Sequence, residues 1–269
     1  MIKVGFIGLG EQGKPMAVNL AKNGFDLIVY DLRRDPVEEL IAIGAKAANS
    51  PREVAAASEA IEVAVVDDAQ VEAVVLGNDG IIAGARPGSV IAIHSTIRPA
   101  TVRKIATASA HRGIGVIDAP VSGEPRGAQS RTMCYMVGGD KELVERCRPV
   151  FETSAKSIFH IGPLGAGMTA KLAHQVIICL NVIAAREGMA LAAKAGLDLT
   201  MMQEVVRAGG AQSRVADNWI KNKPTPNASR LWYKDLMLAL EFANELGLAL
   251  PATSMAQELI ESNNAEEDR

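Results

Sequence analysis

Lys171, His174 and Gln175 stand at positions i, i+3 and i+4 of one long apolar stretch, "GAGMTAKLAHQVIICLNVIAAREG". In a helix, that spacing projects all three side chains from one face. An ammonium on a buried face is costly without a partner, or loses its charge. A substrate oxygen is one such partner. If partial burial and nearby cations lower its pKa, a lysine can take a proton from a hydroxyl and return it to a carbonyl oxygen. Gln175 can hold the reacting oxygen or neighbouring hydroxyls from one turn along. His174 either does likewise or packs and bonds to backbone.

A second constellation lies at the other end of the chain. Gly8-Leu9-Gly10-Glu11-Gln12-Gly13 follows the apolar run "KVGFI" and precedes a helical stretch with Pro15 in its first turn. Alone, this glycine spacing is a weak signal. Here a second strand-like run, "DLIVYD", follows and ends in Asp31. Glycines in that order permit a tight turn and a close approach of backbone to a pyrophosphate at a helix N-terminus. Asp31 is then placed to accept hydrogen bonds from the adenosine ribose. Its charge would repel a 2′-phosphate, so NAD is favoured over NADP, with Leu32 and Arg33 completing that edge. Arg33 and Arg34 pull the other way, because guanidinium groups suit a phosphate; a solvated pair of loop charges is the reading preferred here.

Ligands of an open parallel sheet gather beyond the carboxyl ends of its strands. Val65 and Val66 end one strand, with Gln70 in the segment beyond. His94, Ser95 and Thr96 end the next, and "DAPVSGE", residues 118–124, ends another. Ser95, Thr96 and Ser122 can bond a nicotinamide ribose, its amide or a substrate; helix capping and turn chemistry are the alternatives.

These residues need elements to hold them. Up to residue 163, short β-branched runs alternate with Ala-rich helical stretches, the grammar of βαβ units and a mainly parallel sheet. Beyond it the pattern is helical: Ala166–Lys194 closed by Gly196, then 200–207, 214–221, 229–246 and 252–262, with "NKPTPN" as a loop and "NNAEEDR" as a frayed tail. The expectation is an α/β fold: an N-terminal Rossmann-type doubly wound sheet over 1–163, followed by an all-α domain over 164–269.

Composition narrows the function. A formal charge of −3 and a pI of 5.9 give no footprint for nucleic acid or an anionic membrane. Aromatics are only 4%, so the core must rest on aliphatic residues, with Met133, Met136, Met168, Met201 and Met202 as filler. The three cysteines lack CxxC spacing and fit a reducing cytosol. No His, Cys and acidic residues recur at metal-ligand intervals. The start reads as a strand and not as a signal peptide. The apolar run over 176–185, broken by Asn181, reads as too short for a membrane span and as a buried helix. His160 reads as a satisfied strand residue, and His111 as solvated after a helix. Trp232 and Tyr233 suit either a substrate pocket or a helix interface.

Together "GFIGLGEQGKPMAVNL", "HSTIRP", "DAPVSGEPRGA" with "MVGGD", "GPLGAGMTAKLAHQ" and "YKDLMLAL" resemble the β-hydroxyacid dehydrogenase family across nearly the whole chain. That family includes 3-hydroxyisobutyrate dehydrogenase and tartronate semialdehyde reductase. The resemblance implies an NAD(P)-dependent oxidoreductase that interconverts a small β-hydroxy acid and its semialdehyde or keto acid. It implies Lys171 as the catalytic lysine, Ser122 and Gly123 at the substrate carboxylate, and Ser95, Thr96 and Lys234 along the nicotinamide, with Asp235 orienting Lys234. It places the active site between the two domains. Glu124 stands where the family usually has glycine, and facing the pocket it would favour a cationic or hydroxyl-rich substrate end. His94 replaces a usual Asp, Arg131 a frequent glycine and Gln175 a usual Asn. The His174-Gln175 pair looks like the threonate/erythronate dehydrogenase branch, whose substrates are polyhydroxylated acids. A homodimer or homotetramer in the cytoplasm is expected. An imine reductase of the same fold, or a non-catalytic cofactor-binding protein, is the alternative; the lysine disfavours both.

Overall fold

The structure, a computed structural model, describes residues 2–221 and 226–267. It divides into two compact units, Met1–Lys171 and Leu172–Arg269.

The first unit is built on β1 (Val4–Ile7), β2 (Leu27–Tyr30), β3 (Lys46–Ala47), β4 (Ala60–Val63), β5 (Val90–Ile93), β6 (Gly115–Asp118), β7 (Val121–Ser122), β8 (Met133–Gly138) and β9 (Ala155–Gly162). Between them run α1 (Gly13–Lys22), α2 (Arg34–Ile41), α3 (Pro51–Ala57), α4 (Asp68–Leu76), α5 (Ile81–Gly84), α6 (Pro99–Ala110), α7 (Glu124–Gln129) and α8 (Lys141–Phe151). The sheet order is β3-β2-β1-β4-β5-β6-β8-β7, with β9 beside β8. Pairing is parallel from β3 to β6, and β8 meets β6 and β7 antiparallel. The order 3-2-1-4-5-6 is the doubly wound arrangement, whose direction of progression reverses between β1 and β4.

Burial follows the two-residue period of a strand. On β5, Val90 and Ala92 enter one core with Phe6, Tyr135 and Phe151. Ile91 and Ile93 enter the opposite core with Ile61, Val63 and Ile105. Both faces are therefore covered, as the nearly continuous apolar runs demand. β3 and β7 are not legible in the sequence; each is two residues long and pairs with a neighbour already in place.

The second unit is helical among the described residues. It takes α9 (Ala166–Lys194) from Leu172 onward, then α10 (Leu199–Ala208), α11 (Pro226–Glu245) and α12 (Pro251–Glu267). Cys179 and Ile183 of α9 pack with Leu236 of α11 and Ala256 and Ile260 of α12. Trp232 and Tyr233 pack against this cluster, which favours their helix-interface reading.

Four expectations are corrected. The helix expected over 214–221 is only a 3-10 turn, Ala216–Asn218. Side chains take its backbone groups instead: Ser213 Oγ accepts from Ala216 N at 3.0 Å, Gln203 Oε1 accepts from Ile220 N at 3.0 Å, and Arg207 Nε donates to Asp217 O at 2.8 Å. Met201 is 65% exposed and is not core, although Met133, Met136 and Met168 are. The tail read as frayed continues α12 to Glu267, and residues 268–269 lie outside the described residues, as does 222–225 of the expected loop. Length does not exclude a membrane span, because α9 has 29 residues and is apolar enough; one such helix is also what the core of a globular fold contains.

Candidate active site

The glycine turn joins β1 to α1 beside the end of β4. Gly8 has φ +94, a left-handed backbone that favours glycine. A side chain there would run into the Ala64 carbonyl, so the turn lies directly on the neighbouring strand end. Gly10 differs: a Cβ at this position would meet nothing within 4 Å. Its bareness is not a packing requirement of the protein and leaves backbone open to a ligand. Gly13 opens α1 with no room for a Cβ against Gly8 O. α1 carries no side-chain cap and no acidic residue in its first turn, so its positive pole stays uncompensated by the chain. These features fit a dinucleotide pyrophosphate.

Asp31 leaves β2 toward this turn. Its Oδ2 accepts from Leu9 N at 2.6 Å, and its Oδ1 accepts from Arg33 N at 2.8 Å and Arg33 Nε at 3.2 Å. Burial works to raise the pKa of this carboxyl, but the hydrogen bonds from Arg33 and Leu9 outweigh it and hold the group below its ordinary value. Arg33 also donates from Nη2 to Leu9 O at 3.0 Å. It therefore leans on the turn while its side chain stays 64% exposed, and Arg34 is 86% exposed, so both keep the solvated character expected of them. Leu32 is 90% exposed beside them, and Val66 is 52% exposed beyond β4.

The ends of β4 and β5 are tied together. Ser95 Oγ accepts from Val65 N at 2.9 Å, and Gln70 Oε1 accepts from Val66 N at 3.2 Å. Ser95 is buried, while Thr96 is half-buried and does not cap α6, whose N-cap is Arg98. His94 lies beneath this edge. Its Nε2 is 2.5 Å from Glu62 Oε2 and its Nδ1 2.8 Å from Ala119 O, among the rings of Phe6, Tyr135 and Phe151. It joins three strand ends and is not a ligand-facing group.

Asp118 ends β6, and the chain after it carries the residues assigned to substrate. Ser122 is half-buried and paired with Cys134 on β8. Gly123 has φ +141 and Glu124 φ +58. Holding a non-glycine residue in that left-handed region costs about 1 kcal/mol. Glu124 is exposed, and Gln12 Nε2 donates to its carbonyl at 3.4 Å, so this loop reaches the glycine turn. Lys171 is 8% exposed, and its Nζ donates to Val121 O at 2.8 Å. The lysine and the Val121-Ser122-Gly123 loop are thus neighbours within the first unit. Arg131 is elsewhere: Nε donates to Thr153 O at 2.8 Å, and its φ is +57, a left-handed backbone that favours glycine.

In the second unit, Gln175 Nε2 donates to Asp235 Oδ2 at 2.6 Å, and Lys234 Nζ lies 2.9 Å from Asp235 Oδ1. One buried carboxylate therefore holds both side chains. His174 is half-buried on the same helix. His160 Nε2 is bonded to Gly139 O at 2.9 Å and His111 is exposed, in agreement with their sequence readings. Two buried acids escaped that reading. Glu62 was detectable as a charge inside an apolar strand; Asp118 had no local signal beyond its place at a strand end. Among the described residues no His, Cys, Asp and Glu group is arranged to hold a metal.

The description "NAD binding domain of 6-phosphogluconate dehydrogenase" matches residues 3–162, and "NAD-binding of NADP-dependent 3-hydroxyisobutyrate dehydrogenase" matches 165–269. The chain belongs to the β-hydroxyacid dehydrogenase family. It is 37% identical to an NAD-dependent L-serine dehydrogenase of Pseudomonas aeruginosa, over 96% of this chain and 91% of that one. It is 39% identical to a 2-hydroxy-3-oxopropionate reductase of Escherichia coli, over 96% and 90%. A 3-hydroxyisobutyrate dehydrogenase of Mycobacterium tuberculosis, solved with L-serine, superposes with a TM-score of 0.88 at 29% identity, covering 98% of this chain and 94% of that one. An imine reductase of Streptomyces aurantiacus, 19% identical with a TM-score of 0.71, shares the fold alone. The protein is an NAD(P)-dependent oxidoreductase that acts on the CH–OH group of small hydroxy acids.

Proposed function

We propose that Lys171 is the general acid/base of this dehydrogenase, and that Ser122, Gly123 and Glu124 receive the substrate beside it. The observation that carries the reading is the buried Lys171 amine, held 2.8 Å from Val121 O at the start of that loop. When bound, the nicotinamide ring accepts or returns the hydride. In the oxidative direction Lys171 Nζ, as the free amine, takes the substrate's hydroxyl proton; in reduction the ammonium gives it back. Ser122 Oγ and the backbone N–H of Gly123 are donors suited to a carboxylate. Gln175 and His174 serve the substrate's hydroxyls, and Asp235 fixes the Gln175 amide and the Lys234 ammonium. Ser95 and Thr96 line the nicotinamide side.

For the cofactor we propose NAD over NADP. Asp31 carries the charge a 2′-phosphate would meet, and Arg33 is already engaged by Asp31 and Leu9 O. Gly8, Leu9, Gly10, Glu11, Gln12 and Gly13 receive the pyrophosphate, while Leu32, Val65, Val66 and Gln70 flank the adenosine. The domain boundary we propose is 163/164, between the two matched regions, although the compact units part after Lys171. A homodimer or homotetramer in the cytoplasm completes the reading. It is supported by α9, which is apolar but only one-third buried in its most apolar window, with Ile177 61% and Leu191 73% exposed. Light scattering that finds a monomer overturns the oligomer.

The experiment is a panel of L-serine, 3-hydroxyisobutyrate, 2-(hydroxymethyl)glutarate and threonate, followed by NADH absorbance with both cofactors. Turnover of at least one acid, faster with NAD, is expected. Glu124 favours L-serine and threonate over the two acids that lack a second hydroxyl or an ammonium. No oxidation of any of the four defeats the substrate reading.

A further inference from the structure

We propose that Asp118 is a positioning residue that sets the place of Lys171 against the substrate loop, by fastening the first turn of α9 to the strand from which that loop departs. The inference rests on Lys171 being the acid/base.

Asp118 is fully buried. Its Oδ1 accepts from Gly165 N at 2.8 Å and its Oδ2 from Met168 N at 2.7 Å, across 47 and 50 residues of sequence. The Gly167 N–H is directed at the same carboxyl. These are N–H groups that the first turn of a helix leaves without intrahelical partners. A carboxylate on them is also favoured by the positive end of the helix. The carboxylate therefore caps the N-terminus of α9, with Lys171 in the next turn. Asp118 also begins the segment that reaches Val121, whose carbonyl accepts from Lys171 Nζ. The segment is therefore pinned to α9 twice, at its start by a carboxylate and three residues later by the lysine.

The surrounding backbone leaves this latch little freedom. A Cβ on Gly138 would stand 2.5 Å from Asp118 Oδ1 and 2.7 Å from Gly167 N. A Cβ on Gly167 would stand 2.8 Å from Asp118 O and 2.9 Å from Oδ2. Two glycines thus let β8 and α9 close on the carboxyl. Displacing a reacting group by about 1 Å costs on the order of 100-fold in rate, so a latch this close to the amine acts on kcat.

The test compares Asp118→Asn, Asp118→Ala and Gly138→Ala with Asp140→Ala. The last removes a cap of the same kind from α8, where Asp140 Oδ1 accepts from Glu142 N and Leu143 N. Two readouts are taken: amide hydrogen exchange over 165–171, and kinetics with the panel acid turned over fastest. Asp118→Ala is expected to speed exchange over 165–171 and to lower kcat roughly 10- to 100-fold, with a larger solvent deuterium isotope effect on kcat. KM and the NADH dissociation constant stay within about threefold, the pattern of a lost transition-state interaction. Asp118→Asn, which keeps one acceptor, recovers part of the loss, and Gly138→Ala falls in between. Asp140→Ala lowers the melting temperature with kcat unchanged. Should Asp118→Ala or Gly138→Ala fail to fold, Asp118→Asn decides. Unchanged exchange and kcat within about twofold of wild type in Asp118→Asn overturn the proposal. Lys171→Ala is run in parallel. If it is inactive while Asp118→Asn is normal, only the positioning role falls; if it retains turnover, both readings fall.

Discussion

The glycine turn and the Asp118 latch are both places where a strand hands over to a helix with unpaired N–H groups, yet they treat those groups oppositely. At α1 the chain supplies no side-chain cap and leaves Gly10 bare, so the positive pole is kept for a ligand. At α9 the chain supplies its own buried carboxylate. On the proposed reading, one helix terminus receives the cofactor and the other fixes the helix that bears the acid/base amine. The same electrostatics therefore does two jobs, and what decides between them is whether the protein fills the pole itself.

The largest effect that sharpens this contrast lies below both helix ends. Glu62 and His94 are 1% and 5% exposed and hold the ends of β4, β5 and β6 in register beneath the two sites. Replacing Glu62 by Leu leaves the His94 ring without its partner in a dry core and is expected to cost about 3–5 kcal/mol, as for breaking a buried pair. Denaturant unfolding measures it, and a Glu62→Leu/His94→Leu double variant recovering part of the loss would identify the pair as the cause. A loss below about 1 kcal/mol would mean the pair behaves as a surface one.

Gly10→Val separates binding from folding. Since nothing lies within 4 Å of a Cβ there, the melting temperature should hold. NADH affinity should fall by roughly tenfold or more, the equivalent of about 1.4 kcal/mol of lost contact. A fall in stability with normal NADH binding would reverse the assignment of the open pole.

Asp31 gives the smallest effects. Asp31→Ala is expected to narrow the NAD preference by roughly tenfold, the scale of about 1–2 kcal/mol for removing one nearby charge at the surface; an unchanged ratio would mean the carboxylate does not face the 2′ position. Its pKa is held below the ordinary carboxylate value, so its contribution to stability is present above that value and lost as pH falls through the lowered one. The gap in melting temperature between wild type and Asp31→Asn should therefore close on acidification. A gap that widens instead would contradict the sign.

Features set by neighbours in the chain were readable from the sequence. The glycine spacing, Asp31 and the full extent of α9 from Ala166 to Lys194 follow from local periodicity and turn chemistry. Features set by distant partners were not. The segment 214–221 looks helical by composition, but Gln203 and Arg207 of α10 claim its backbone. β7 exists because Val121 and Ser122 find Tyr135 and Cys134. The latch joins residues 47 and 50 apart, and a lone Asp at a strand end announces nothing about which helix it will cap.

The central claim is that one amine moves the proton while a separate backbone turn holds the cofactor. The direct measurement is turnover and NADH affinity in a single preparation of Lys171→Ala. Loss of roughly 100- to 10,000-fold in turnover, with NADH binding close to wild type, is the expected result. Turnover within a few-fold of wild type, or NADH affinity that falls in step with activity, would contradict it.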